Sequence, residues 1–249
     1  GEELWSYDGV NIPKLESNIN TASKDSYLSN FVEFNGSLYF SAHSIAYGDE
    51  LWKFDGVNPP SMVVDLYPGD SRHYPSPEPI ITFKEKLFFR GRTPESGKFE
   101  LWVNDKNDGA KLLSEIHPEV NFIFPEQFII FHEKLYFSAR DETNGQELWM
   151  YDGENAPILL MDIYPGNAGS APTDFLVFNS KLYFTARDKH HGRELWECDG
   201  MTMPKITADI QVGNYGANPN WKTIFKNKIL FSADDGENGR EMWEYDGTN

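Results

Sequence analysis

The 249-residue chain reads as an all-β protein, a five-bladed β-propeller of four-stranded antiparallel blades. Three observations predict it. First, the string Glu-Leu-Trp recurs at Glu3-Leu4-Trp5, Glu50-Leu51-Trp52, Glu100-Leu101-Trp102, Glu147-Leu148-Trp149 and Glu194-Leu195-Trp196, with a sixth copy at Glu241-Met242-Trp243. Second, these tryptophans are spaced by 47, 50, 47, 47 and 47 residues, the length of a propeller blade. Third, no segment sustains a 3.6-residue apolar period, so helices should be nearly absent. An open β-solenoid is the competing architecture. It fits less well, because its rungs are usually shorter and lack hairpin turns such as Asn35-Gly36.

Each period of about 47 residues divides into four strands. In the clearest copy the first strand is Asp174 to Phe178, closed by the turn Asn179-Ser180. The second is Leu182 to Ala186, an apolar block that recurs at Leu38-Tyr39-Phe40, Leu87-Phe88-Phe89, Leu135-Tyr136-Phe137 and Ile229-Leu230-Phe231. A polar loop, Arg187 to Arg193, leads to the third strand, Glu194 to Asp199. The fourth is Lys205 to Ile210. Short aromatic and β-branched runs separated by Gly, Asn, Asp and Pro are strand and turn chemistry.

An Asp-Gly pair follows each tryptophan: Asp8-Gly9, Asp55-Gly56, Asp108-Gly109, Asp152-Gly153, Asp199-Gly200 and Asp246-Gly247. The third copy carries inserted residues around Asn107. The Asp is expected to accept a backbone N–H while the Gly takes a positive φ. A further block, Asp65-Leu66-Tyr67-Pro68-Gly69 and Asp162-Ile163-Tyr164-Pro165-Gly166, weakens to Asp209-Ile210 and Glu115-Ile116.

The ends are redundant. Gly1–Asn11 aligns with Gly239–Asn249 at seven identical pairs of eleven, so the third strand occurs six times and each other strand five. Residues 1–249 are therefore expected to form one propeller domain whose last blade is completed by the N-terminal strand within 1–18. One third strand is then surplus. Three explanations compete: a fragment of a longer array, an unused surface strand, or a strand donated to another molecule, which builds a filament.

The repeat resembles the E-L-W-x-x-D-G-T tandem repeats of secreted and cell-surface proteins, with their upstream aromatic strand and downstream D-I-x-P-G turn. The resemblance covers essentially the whole chain. It departs at the final Thr, present only as Thr248, and in the irregular third blade. It implies an extracellular or cell-surface propeller, mostly non-catalytic. The architecture is also similar to that of five-bladed tachylectin-type lectins, an analogy of fold alone.

Composition narrows the partners. The 22 Lys+Arg against 39 Asp+Glu give a net charge of −17, and no basic face for nucleic acid is visible. No apolar run reaches the length of about 18 residues that suggests a membrane-spanning helix, so no membrane insertion is expected. The lone Cys198 excludes an internal disulfide framework. It stands where Tyr7, Phe54, Tyr151 and Tyr245 stand in other copies, a core slot.

Six of the seven tryptophans, Trp5, Trp52, Trp102, Trp149, Trp196 and Trp243, share one slot and read as spacers between wedge-shaped sheets; only Trp221 lies elsewhere. The repeated Glu needs partners if buried, either backbone amides or a neighbouring indole. The loop between second and third strands carries Asp141 with Asn144, Asp188 with His190, and Asp235 with Asn238. These are the candidate ligand-binding residues, for sugar hydroxyls or a cation. The competing reading is that each Asp caps its own turn.

No cofactor is implied. Calcium is the one metal the acidic loops suggest, although Asp234–Gly239 fails the calcium-loop motif, with Tyr245 in the place of its last Glu. Adjacent His190 and His191 suit no zinc chelate. Asn35-Gly36-Ser37 is the one N-glycosylation sequon, placed on a hairpin tip.

Catalytic motifs are absent, and an active site usually breaks repeat symmetry, so the chain is expected not to be an enzyme. A glycan-active enzyme with acids meeting only in space is the outlying alternative. Two function classes stand: a binding or adhesion module for glycans or cell-surface proteins on the long-loop face, and a structural subunit that self-associates through its termini.

Overall fold

A computed structural model describes residues 1–20, 24–68, 77–78, 80–93, 97–116 and 123–248. The crossover from Gly69 to Pro77 and the middle of the Gly91–Gly97 loop lie outside the described residues. The chain divides into two compact units, Gly1–Pro118 and Glu119–Asn249.

In the first unit β1 (Leu4–Ser6) and β2 (Lys14–Ser17) form a two-stranded sheet. Two four-stranded sheets follow: β3 (Ser29–Phe34), β4 (Ser37–Ser44), β5 (Gly48–Phe54) and β6 (Ser61–Val64); then β7 (Ile80–Phe83), β8 (Lys86–Arg92), β9 (Phe99–Asp105) and β10 (Gly109–Leu112). A single helical turn, α1 (Leu113–Ile116), closes the unit.

The second unit holds β11 (Ile123–Phe131), β12 (Lys134–Asp141), β13 (Gly145–Tyr151) and β14 (Ile158–Met161), then β15 (Thr173–Phe178), β16 (Lys181–Asp188), β17 (Gly192–Cys198) and β18 (Lys205–Ala208). It ends in a three-stranded sheet of β19 (Asn220–Phe225), β20 (Lys228–Asp234) and β21 (Arg240–Tyr245). Every sheet is an antiparallel meander in chain order. The fold is thus all-β, built from repeated four-stranded antiparallel sheets.

The turns explain the meander. First and second strands are joined at Asn35-Gly36, Lys84-Glu85, His132-Glu133, Asn179-Ser180 and Lys226-Asn227, and all ten residues have positive φ. Two successive positive φ values define the type I′ turn, whose twist matches the strands it joins. Asn35 sits exposed on such a tip, as expected for the sequon.

Third and fourth strands are joined by the Asp turns. In the first full sheet Asp55 Oδ1 accepts the amides of Val57 (2.9 Å) and Asn58 (2.8 Å), and Gly56 has φ 82°. The irregular copy is corrected in register. Asp105, not Asp108, lies three residues after its tryptophan and accepts the Asn107 amide at 2.9 Å. The insertion therefore falls inside the turn and leaves the strand intact.

Packing follows the repeat. In the five larger sheets the third-strand tryptophan lies opposite a second-strand phenylalanine, as in Phe89–Trp102 (6.3 Å, 16°) and Phe184–Trp196 (6.5 Å, 25°). Trp102, Trp149 and Trp196 are buried, so the slot is structural, whereas Trp5 at the chain start is 57% exposed. The third-strand leucine turns to the other face. Leu148 packs with Phe184 and Ala186 of the next sheet, Leu195 with Phe231 and Ala233, and Leu51 with Phe89. Burying each such leucine contributes about 1.5–3 kcal/mol. Cys198 is a buried free thiol packed near Phe131 and Tyr136, and burial pushes its pKa up.

Among the described residues β2 pairs with β1, and β19–β21 is a three-stranded sheet. The physical reason is local: β1 carries Leu4-Trp5 where β21 carries Met242-Trp243, and it reaches β2 through a short loop, which costs little closure entropy.

Candidate functional site

The loop aspartates are engaged by their own turns. Asp141 Oδ1 accepts the amides of Thr143 (2.9 Å) and Asn144 (2.5 Å), and its Oδ2 accepts Asn144 Nδ2 at 2.6 Å. Asp235 repeats this with Glu237 and Asn238, and these hydrogen bonds, led by the Asn238 amide, lower its pKa. At Asp188 the amides of His190 (2.8 Å) and His191 (2.6 Å) donate to Oδ1, and the His191 ring lies 2.7 Å from Oδ2. Burial there favours the neutral acid, but the His191 ring and the two amides outweigh it and lower the pKa.

Of the candidate ligand-binding residues, Asp141, Asp188, Asp235, Asn144 and Asn238 are engaged in their own turns, and His191 rather than His190 fills the Asn144 slot. Among the described residues, no group of three or more His, Cys, Asp or Glu side chains is placed to hold a metal ion.

The repeated Glu is an inter-sheet fastener. Glu147 is fully buried and accepts the amides of Tyr164 (3.1 Å) and Ser170 (2.8 Å) and the Ser170 hydroxyl (2.5 Å). Glu194 accepts the amides of Ile210, Gln211 and Ala217 at 2.7–3.2 Å. The donors are backbone amides of the crossover into the next sheet, as the buried carboxylate required. Burial pushes Glu147 up to about 7 and Glu50 to about 8.

What departs from the repeat lies on the first strands. Four of the five have a bulge, seen as register shifts at Ser29/Val32, Glu126/Ile129, Thr173/Leu176 and Asn220/Thr223, while β7 pairs with β8 in unbroken register over its described residues. One non-glycine residue in each bulge has positive φ: Asn30 (55°), Gln127 (58°), Asp174 (57°) and Trp221 (58°). A bulge re-aims the side chain it carries, and positive φ in a residue as bulky as Trp is strained. The residue after it is Phe31, Phe128 and Phe175 in three sheets, each set against the second-strand phenylalanine. In the last sheet it is Lys222.

In the second unit these bulges interlock. Asp174 N–H donates to Gln127 Oε1 at 2.9 Å. Asp174 Oδ2 accepts from the Lys222 amide (3.1 Å) and from Lys222 Nζ (2.9 Å). Lys222 Nζ also donates to the Thr185 hydroxyl at 2.7 Å, and that hydroxyl donates to the Pro219 carbonyl. The Lys222 side chain is wholly sealed while that of Asp174 keeps 28% exposure, and burial lowers the lysine to about 8. Trp221 stands 77% exposed on the next bulge along from Asp174. The result is a run of carboxamide, carboxylate and open indole on neighbouring strands, backed by a buried cation.

Sequence reasoning marked Trp221 as the odd tryptophan but missed Gln127, Asp174 and Lys222. Aligning the first strands position by position would have exposed them, because Lys222 replaces a repeated phenylalanine.

No family model matches the chain, and no curated protein matches it in sequence. Solved structures do. A puromycin hydrolase S511A mutant complexed with PGG matches at TM-score 0.56 and 11% identity, over 94% of this chain and 38% of that one. An acylaminoacyl peptidase of Pyrococcus horikoshii matches at TM-score 0.47 and 15% identity, over 84% and 32%. The β-propeller domain of the Trilobed protease from Pyrococcus furiosus matches at TM-score 0.35 and 13% identity, over 88% and 82%. The chain thus spans little more than a third of the puromycin hydrolase chain.

The expectation that the chain is not an enzyme is corrected. Its fold recurs within the puromycin hydrolase chain, so an all-β repeat without a catalytic motif is no argument against catalysis. The premise of unbroken symmetry fails as well, at Trp221 and Lys222.

Proposed function

We propose that this chain is a five-bladed β-propeller that works outside the cytoplasm and binds a glycan on the first strands of its last three sheets. Four complete sheets and β19–β21 make the five blades, and a strand equivalent to β2 completes the fifth. The resemblance to E-L-W-x-x-D-G-T repeats supports the location. The observation that carries the ligand class is Trp221, an indole held open at a strained position next to Lys222, which donates to Asp174. An exposed indole face stacks on the C–H face of a sugar, and fixed carboxylate and carboxamide groups take its hydroxyls. Since Asp174 Oδ2 is already held by Lys222, the site needs no calcium.

A glycan array read with calcium and with chelator tests this. Binding of at least one glycan class is expected in both conditions. Trp221→Ala should weaken it at least about tenfold with no loss of thermal stability, and Trp221→Phe should retain part of it. No glycan bound, or binding indifferent to Trp221→Ala, refutes the site. Capture of purified cell-surface ectodomains in place of glycans would establish the protein-ligand reading instead.

A further inference from the structure

Arg187 and Arg193 lie directly opposite each other on β16 and β17. The same two places pair a base with an acid elsewhere: His43 faces Asp49 in β4–β5, at 3.4 Å, and Asp234 faces Arg240 in β20–β21. Like charges directly opposite across an antiparallel pair destabilise it, whereas opposite charges support it. One sheet thus keeps the slot and reverses its electrostatics. Burial, and then the charge of Arg187, pull the Arg193 pKa down.

A third guanidinium joins them on one stretch of chain, the crossover from β14 to β15. Arg140 Nη2 donates to the Asn167 carbonyl at 3.1 Å. Arg187 donates from Nη2 to the Ala168 carbonyl and from Nε to that of Gly169, both at 2.9 Å, and lies over the Tyr164 ring at 5.0 Å. Arg193 donates from Nη1 to the Ala171 carbonyl (3.1 Å) and from Nη2 to the Thr173 hydroxyl (2.8 Å). Each guanidinium carries five N–H donors, so most of them remain after these bonds.

No acid answers the three. Asp141 follows Arg140 and Asp188 follows Arg187, but both carboxylates are taken up by their own turns. Glu194 follows Arg193 and is held by the amides of Ile210, Gln211 and Ala217. Among the described residues none of the three arginines forms an ion pair with a carboxylate. Arg140 is exposed and the other two are half-buried, so solvent reaches the cluster.

We propose that Arg140, Arg187 and Arg193 form a binding site for one tetrahedral oxyanion, a sulfate or phosphate group. An anion between them turns a repulsive cross-strand pair into an attractive one. Guanidinium is the side chain best suited to such groups, and a tetrahedral group offers enough oxygens to meet three of them. The net charge of −17 opposes an extended polyanion but acts weakly on a single small group, because charges more than about 8 Å away are screened at physiological salt. Trp221 has no part in this site, which does not rest on the glycan reading.

NMR of the arginine Nε–H groups tests it, with the full chain titrated with sodium sulfate or sodium phosphate and ionic strength held constant with chloride. Saturable shifts of Arg187 and Arg193 are expected, with a dissociation constant of about 1 mM or tighter. Arg140→Gln, at an exposed side chain, should weaken binding at least about fivefold, and Arg187→Gln, with its fold checked by circular dichroism, at least about tenfold. Lys53→Gln, exposed in the first unit, should change nothing. A sulfated galactose bound more tightly than inorganic sulfate would place the group on a sulfated glycan, and equal affinity would mark the free ion; either sustains the site. Shifts that never saturate, or that both arginine variants leave unchanged, would mean that the arginines only clamp the crossover, and would overturn the proposal.

Discussion

Replacing Glu147 by glutamine removes one titration and keeps the shape. The carboxylate is sealed between two sheets and held by two amides and one hydroxyl. Burial, opposed by the Ser170 hydroxyl and the crossover amides, raises its pKa from the ordinary 4.5 to about 7. A carboxyl raised in the folded state binds its proton more tightly there than in the unfolded chain. Its contribution is therefore full below 4.5 and is lost as pH rises through about 7. The size is about 3 kcal/mol, at roughly 1.4 kcal/mol per tenfold difference in proton affinity. Glutamine stands in for the protonated acid. The variant should match the parent near pH 5 and exceed it near pH 8.5 by about 6–12 °C in Tm, at roughly 2–4 °C per kcal/mol for a domain of this size. Thermal unfolding of both proteins across that range reads the difference, and Glu50 and Glu194 cancel in it. A parent that gains stability over the variant from pH 5 to 8.5 would refute the reasoning, because it would mean that the hydrogen bonds outweigh the burial.

Three further outcomes are expected. Gly192→Ala should cost at least about 2 kcal/mol in chemical denaturation, since φ is 71° and its Cβ would meet the Gly216 amide; Gly239→Ala, at φ 77° with open space, should cost only about 1 kcal/mol. Asp188→Ala should lower stability by about 1–2 kcal/mol and let the His191 pKa, now raised chiefly by the Asp188 hydrogen bond, fall back toward 6.5 by NMR, with glycan affinity unchanged. Trp221→Gly should abolish glycan binding yet raise stability by about 1 kcal/mol in urea titration, because glycine takes φ 58° without strain.

The strands were legible in the sequence because each is short, aromatic and bounded by turn residues; the second strand was read as Leu182–Ala186 and is Lys181–Asp188. The Asp turns were legible for the same reason. The third copy was misread because an inserted Asp-Gly mimics the turn signature, while the strand length sets the true register at Asp105. The loop aspartates were legible only as two competing readings, because an acidic residue before a polar loop looks the same whether it awaits a ligand or caps its own turn. The capping itself is visible only in the hydrogen bonds from Asn144, His191 and Asn238.

Recurrence within one chain sorts residues by role more sharply than residue type does. A side chain present in every copy must serve something every copy has, and every complete sheet has a neighbour to hold. Glu147, Leu148 and Trp149 accordingly end in crossover amides and apolar faces, leaving nothing for a ligand. Function is then to be sought where a slot keeps its geometry but changes its chemistry. That slot is the bulge, where the same strained φ carries Asn30, Gln127, Asp174 and Trp221, and where Lys222 replaces a packed phenylalanine. The cost of holding Trp221 at positive φ is about 1–3 kcal/mol, which core packing of an exposed side chain does not return.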